Sequence, residues 1–311
     1  VGGMPMLYTG DPSLASTDTF DGSDALPTLR GSYWVGTVPV TTATGEIQVR
    51  ALVEFPEGDT TEADGVIWSL ETNGTAARWD LVYVPGSSGR LNVKVYDTNG
   101  VSITTSGNLS AAVNDDDRAR RYSLELTENG ADVDVALTSI DTAYTVRTST
   151  FTVSGETIGS PARVRVNSIG DSNQAGALDQ VTVGHITVQD AITSQADTLD
   201  ELAAWADELV SARISRLCAE NDETLDMIGE SLQPMGPQSV ATLLDLLREC
   251  ERADQGILYD GVSAGLSYIA RDEFESEPAV LTLDASTRQL PPPFGAVDDD
   301  PRTVNRAVVT R

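Results

Sequence analysis

From Tyr33 to Val188 apolar and polar residues alternate in short runs broken by turn residues. A period of two admits a half-buried β-strand and excludes an amphipathic helix. The run "EIQVRALVEF" puts Ile47, Val49, Ala51, Val53 and Phe55 on one face, and "RWDLVYV" does the same with Trp79, Leu81 and Tyr83. "RLNVKVYD" aligns Leu91, Val93 and Val95. In "RYSLELTENGADVDVAL", Tyr122, Leu124 and Leu126 precede Asn129-Gly130, and Val133, Val135 and Leu137 follow it. Asn-Gly favours a type I′ hairpin turn. Further strands are expected in "AYTVRTSTFTV", "ARVRVNS" and "LDQVTVGHITVQ". Some ten strands without a helical period predict an antiparallel sandwich.

In the last strand Val181 and Val183 share one parity, and Ile186 and Val188 the other. An extra residue at Gly184 would restore the inward face, so a bulge is expected there. His185, the only histidine, then reads as a strand residue beside that bulge and not as a catalytic group or metal ligand. No catalytic residue is assigned. Glycosidases need a facing pair of carboxyls. Asp132 and Asp134 in "ADVDVAL" lack flanking glutamates and read as the solvent side of a strand. Sugar-contacting residues cannot be named, because Trp34, Trp68 and Trp79 sit at strand positions that suit core packing.

The segments "STDTFDGSDAL…GSYWVG" and "GALDQVTVGHITVQD" resemble the ends of a concanavalin A-like, LamG-type jelly roll. The resemblance covers about residues 16–190, with residues 1–15 as a linker or the end of a preceding domain. It implies a lectin-like sandwich whose first and last strands pair. Domains of that type often hold a structural calcium ion, and hard cations take several oxygens. Asp18 and Asp179 would be neighbours in such a pairing and form the candidate Ca²⁺ site.

Near Asp197 the period changes. "TLDE" from Thr198 is a capping-box sequence, and Leu199, Leu202, Ala206, Leu209, Val210, Ile214 and Leu217 follow a 3.6-residue repeat. An extended piece, "TLDMIGE", and the turn segment "LQPMGPQS" come next. Ser239 is placed to cap a second helix with Leu243, Leu244, Leu247 and Cys250 on its apolar face, and Gly256 to end it. "ILY" and "LSYIAR" are expected to pair as a hairpin, and "AVLTLD" and "RTVNRAVVTR" to add strands. Residues 191–311 are therefore expected to form an α+β domain, incomplete at its C-terminal end.

Within it, Leu246–Leu247, Ala253–Asp254–Gly256 and then Gly265–Leu266–Tyr268–Arg271 resemble the helix–hairpin unit of phage tail hub and baseplate proteins. "ARISRLCAE" is similar to actinobacterial phage minor tail proteins, and "DDDPRTVNRAVVTR" to the strand that follows an acidic turn in hub proteins. The resemblance implies a multi-domain tail component: a jelly roll followed by a hub-like domain. It also implies assembly in the host cytoplasm, a place in the virion at the tail tip, and partners that include copies of itself in a ring and other tail proteins. Cell-surface glycan is the expected contact of the lectin-like module. No catalytic residues carry over, and the expectation is a protein that is not an enzyme.

Composition bounds these readings. A chain of 311 residues has room for two cores. A net charge of −28 opposes non-specific nucleic-acid binding. Lys94 is the only lysine among 20 basic residues, which fits either a high-GC genome or adaptation to salt. No apolar run reaches transmembrane length, and the first residues show no secretory pattern. Both ends read as cuts in a longer polypeptide. Cys218 and Cys250 lie on apolar helix faces and are expected to be buried thiols. Two other classes remain open: a secreted or surface carbohydrate-binding protein, and a glycoside hydrolase on a jelly-roll fold.

Overall fold

The computed structural model describes residues 6–9, 26–39, 42–55, 64–84, 90–109, 119–170, 172, 174–261 and 265–275. Among the described residues, twelve strands build two antiparallel sheets. They are β1 (Met6–Thr9), β2 (Tyr33–Thr37), β3 (Glu46–Glu54), β4 (Gly65–Thr72), β5 (Ala76–Val84), β6 (Arg90–Asp97), β7 (Ser102–Thr105), β8 (Ala119–Asn129), β9 (Asp132–Asp141), β10 (Val146–Ser154), β11 (Pro161–Val166) and β12 (Thr182–Gln189). One sheet runs β1-β2-β11-β4-β5-β6-β7 and the other β10-β9-β8-β3-β12. Neighbours such as β11 and β4, or β12 and β3, are distant in sequence, as in jelly-roll sandwiches.

The alternation seen in the sequence is what joins the sheets. Ile47, Val49 and Val53 of β3 and Leu124 and Leu126 of β8 belong to one buried cluster with Trp68, Trp79, Leu81 and Val93 of the other sheet. Trp68 and Trp79 are fully buried, and Trp34 is nearly so. The expected pairing of first and last strands is not seen among the described strands: β1 pairs with β2 and β12 with β3, and the segment before β2 meets β12 only at an isolated bridge, Thr28 to Thr182, beside the Leu29 amide donating to the Val181 carbonyl at 2.9 Å. The β8–β9 hairpin forms at the expected place, but its two-residue loop is Gly130-Ala131, closed by the Asn129–Asp132 pair. Only Gly130 has positive φ (69°), which marks a type II′ turn and not the expected I′. In β12 the register shifts between Gly184 and Thr187, so the bulge is present, with His185 exposed at φ 49°. Gly184 leaves room there for Leu26, whose Cδ2 would lie 2.6 Å from a Cβ at that position.

After β12 the chain departs from the expected single helix. A 3-10 turn (Ala196–Thr198) and a short α1 (Leu199–Leu202) are followed by a turn region in which Ala204, Trp205 and Asp207 all have positive φ. Helix α2 (Val210–Glu220) starts only afterwards. The repeat is interrupted because a later segment pairs with the break. The Asp207 amide donates to the Met235 carbonyl, the Met235 amide to Glu208, and the Gln238 amide to Ala204. The capping box does not form either, because the Thr198 hydroxyl donates to the Gln195 carbonyl (2.8 Å) and closes the 3-10 turn.

The chain divides into two compact units. The first comprises Val1–Glu208 with Pro234–Thr242, and the second Leu209–Gln233 with Leu243–Arg311. The second contains α2, β13 (Leu225–Ile228), α3 (Leu243–Asp254), β14 (Ile257–Asp260), β15 (Leu266–Ile269) and α4 (Arg271–Glu275). Strand β15 is central, antiparallel to β14 and parallel to β13. Helix α3 begins at Leu243, and its buried stripe is Leu246, Leu247, Cys250 and Asp254. Leu244, expected on that stripe, is 49% exposed. The strands expected in "AVLTLD" and "RTVNRAVVTR" lie outside the described residues. Among the described residues, no helix is long and apolar enough to cross a membrane.

Candidate functional site

Two places gather chemistry, one in each unit. In the second unit Asp254 ends α3 and is buried. Its Oδ1 accepts from the Ser231 hydroxyl at 2.5 Å. Its Oδ2 accepts from the Tyr268 hydroxyl at 2.5 Å and from the Arg271 amide at 3.1 Å. One carboxylate therefore ties together the end of α3, the middle of β15, the start of α4 and the loop after β13. Burial alone would raise the carboxyl pKa, but the donors from Ser231, Tyr268 and Arg271, with the Arg271 charge, hold it below the ordinary value. Burial and the facing carboxylate push the Tyr268 phenol the other way, far above its ordinary value.

Gly256 completes this arrangement by close approach. A Cβ there would collide with the Tyr268 hydroxyl and stand 2.6 Å from the Ile269 carbonyl oxygen. The left-handed position after α3, expected at Gly256, is taken by Gln255 (φ 62°). Asp254, Gly256, Tyr268 and Arg271, singled out in the sequence, thus meet at one point. Ser231 carried no signal in the sequence, because it lies in an irregular segment 23 residues away from its partner.

In the first unit the outer face of the five-stranded sheet is divided. The segment after β12 lies across one half and seals it. The Gln48 amide group donates to the Thr193 carbonyl, the Thr193 amide donates back, and an Arg50 guanidinium nitrogen reaches the Thr193 carbonyl and hydroxyl. The other half is an open groove of about 580 Å³, floored by Glu46, Glu125 and Asp134 and walled by Thr127, Thr150 and Thr152. Register explains the grouping, because Glu46, Thr127, Asp134 and Thr152 form one cross-strand row.

Each groove carboxylate already accepts from the protein. Glu46 accepts from the Ile192 amide (3.2 Å) and Glu125 from the Ser123 hydroxyl (2.8 Å). Asp134 accepts from Thr152 (2.9 Å) and Asn129 (2.8 Å). These bonds hold the three carboxylates of the groove in place. Such a surface takes polyhydroxylated ligands by hydrogen bonding. Asp132, grouped with Asp134 in the sequence, instead accepts from the Gly155 amide (3.0 Å).

Asp18 lies outside the described residues, and Asp179 is exposed, 3.6 Å from Arg30 in an ion pair. Cys218 and Cys250 are buried free thiols, and burial raises the Cys218 pKa.

No family model and no curated protein matches the sequence. Solved structures with a similar strand arrangement include the enzymatically active domain of tailspike protein 2 from bacteriophage CBA120, at 10% identity and a TM-score of 0.42 over 65% of this chain and 31% of that one. The alginate lyase vAL-1 from a Chlorella virus follows at 9% identity and 0.39, over 58% and 91%. The CBM2 module of the evolved Dit of Lactobacillus casei BL23 phage J-1 matches at 14% and 0.36, over 56% and 76%. This chain spans about a third of the length of the tailspike domain. None of the three reaches a TM-score of 0.5, and nothing these proteins do passes to this chain on that ground.

Proposed function

We propose that the chain is a structural component of a bacteriophage tail, at the tip hub or baseplate, whose sandwich contacts host-surface glycan. The observation that supports it most is the Asp254 network. The residues that carry the hub resemblance are used to hold a helix, a strand and a turn together, which is the behaviour of a fold signature in an assembly part. On this reading the second unit packs against copies of itself and other tail proteins, and the open groove of the first faces outward. Size determination of the full chain in solution tests the assembly half. A ring-like homo-oligomer is expected, and a monomer at all concentrations counts against it.

A second reading has one observation of its own. Glu125 and Asp134 are diagonal neighbours on β8 and β9, a placement of about 7–8 Å, and inverting glycosidases separate their carboxyls by about 6.5–9.5 Å. Polysaccharide hydrolysis abolished by both Glu125→Gln and Asp134→Asn would establish it. Absence of hydrolysis in the intact protein would remove it.

A further inference from the structure

The three-stranded sheet of the second unit has an open edge with a groove beside it. Among the described residues, β13 pairs only with β15. The Leu266 amide donates to the Thr224 carbonyl and the Ala270 amide to the Ile228 carbonyl, so the even-numbered residues of β13 turn their main chain towards β15. Main-chain groups alternate in direction along a strand. Those of Leu225 and Met227 therefore point away from β15, and they meet no partner among the described residues. Along this edge lies a groove of about 410 Å³, with Met227, Gly229 and Glu230 on one wall and Ser211, Ala212 and Ser215 of α2 on the other. Small side chains on the helix leave room there. Free main-chain groups beside a shallow helix surface are the setting in which an extended segment joins a sheet.

The side chains around the edge state what such a segment must carry. On the sheet face away from Tyr268, register sets Ile228, Ile269 and Ile257 in one row and Asp226, Ser267 and Tyr259 in the next. Ile228 is 40% exposed, and Asp226 is exposed. A strand added at β13 extends both rows. It needs an apolar residue beside Ile228, a cation two positions away beside Asp226, and a small residue between them on the α2 side.

Residues 302–311, "RTVNRAVVTR", meet these needs. They lie outside the described residues. They carry three arginines and no acid, in a chain of net charge −28. Arg306 stands two positions from both Val304 and Val308, with Asn305 and Ala307 between. In either strand direction Arg306 can therefore lie beside Asp226 with a valine beside Ile228. The other alternating stretch beyond α4, "AVLTLD", has no cation and ends in a carboxylate. We propose that residues 302–311 add to the free edge of β13 as a further strand of the same chain, in the groove against α2. The same chain is favoured over a second copy because α4 starts beside the groove: a Cβ at Gly229 would stand 3.0 Å from the Glu273 Cβ. A segment tethered close to its site has a high effective concentration there. The added strand also covers an edge that would otherwise be open to pairing with other chains. This inference does not rest on the tail reading.

The test is hydrogen exchange of the full chain, followed at single amides by NMR. The Leu225 and Met227 amides are expected to exchange about tenfold more slowly in the wild type than in Val304→Asp/Val308→Asp. The Leu266 and Ala270 amides, bonded to β13, should stay protected in both, which shows that the unit remains folded. Arg306→Asp is expected to speed exchange at Leu225 and Met227, and Asp226→Arg/Arg306→Asp to slow it again. Equal exchange in the wild type and the valine variant overturns the proposal. Protection that rises with protein concentration means that a second copy supplies the strand, and overturns the assignment to the same chain.

Discussion

Protonation of Asp254 has a predictable consequence. A carboxyl whose pKa is lowered on folding adds stability at all pH values above its unfolded pKa, and that stability is lost as pH falls through the folded one. Because Asp254 is held below the ordinary carboxylate value, the wild type and Asp254→Asn are expected to differ most at neutral pH. Melting curves recorded from neutral pH to about pH 3 should show the gap closing towards acid; a gap that widens would contradict the network. Tyr268→Phe removes one donor to a buried carboxylate and is expected to cost about 1–3 kcal/mol in urea unfolding. Gly256→Ala forces a Cβ onto the Tyr268 hydroxyl and the Ile269 carbonyl and is expected to cost about 1–3 kcal/mol in the same assay. An unaltered midpoint in the single variant would show that the strand moves aside freely. At this scale the sequence disclosed the residue types but not their roles. Gly256 was legible as a helix stop, since glycine commonly fills that position. That Gln255 takes the strained dihedral and Gly256 yields room to Tyr268 depends on a strand ten residues downstream.

Among elements, strands were more legible than helices, for a physical reason. A period of two, reinforced on both sheets of a sandwich, is imposed by one continuous core, so Ile47 to Phe55 and Leu91 to Val95 are buried as expected. Even the β12 bulge follows, because the parity change at Gly184 has no other outcome that keeps Ile186 and Val188 packed against the core. The expected helix from Leu199 to Leu217 failed because Met235 and Gln238 return to bond the chain at residues 204–208, and no local pattern announces a partner some thirty residues away. The cover over the five-stranded sheet was equally invisible: Gln48 and Arg50 read as solvent-facing strand residues but are buried beneath Thr193. Gln48→Ala removes hydrogen bonds in both directions to Thr193 and is expected to release the segment. Amide exchange at Thr193 should then rise towards that of an open loop, with β3 still protected. Exchange unchanged at Thr193 would mean that the cover is held by other contacts.

For the whole molecule, the first unit is an antiparallel sandwich with a groove on its five-stranded sheet, and the second is held together by the Asp254 network. The groove was not legible in the sequence, because Glu46, Glu125 and Asp134 lie on three strands and share a row or diagonal only once register is set. On the proposed function, the chain is part of a phage particle. Immunogold electron microscopy of particles produced by the genome that encodes it, with antibodies raised against this chain, tests that claim most directly. Label confined to the tail tip is the predicted result. Unlabelled particles, with the protein recovered free from the culture fluid, would contradict it.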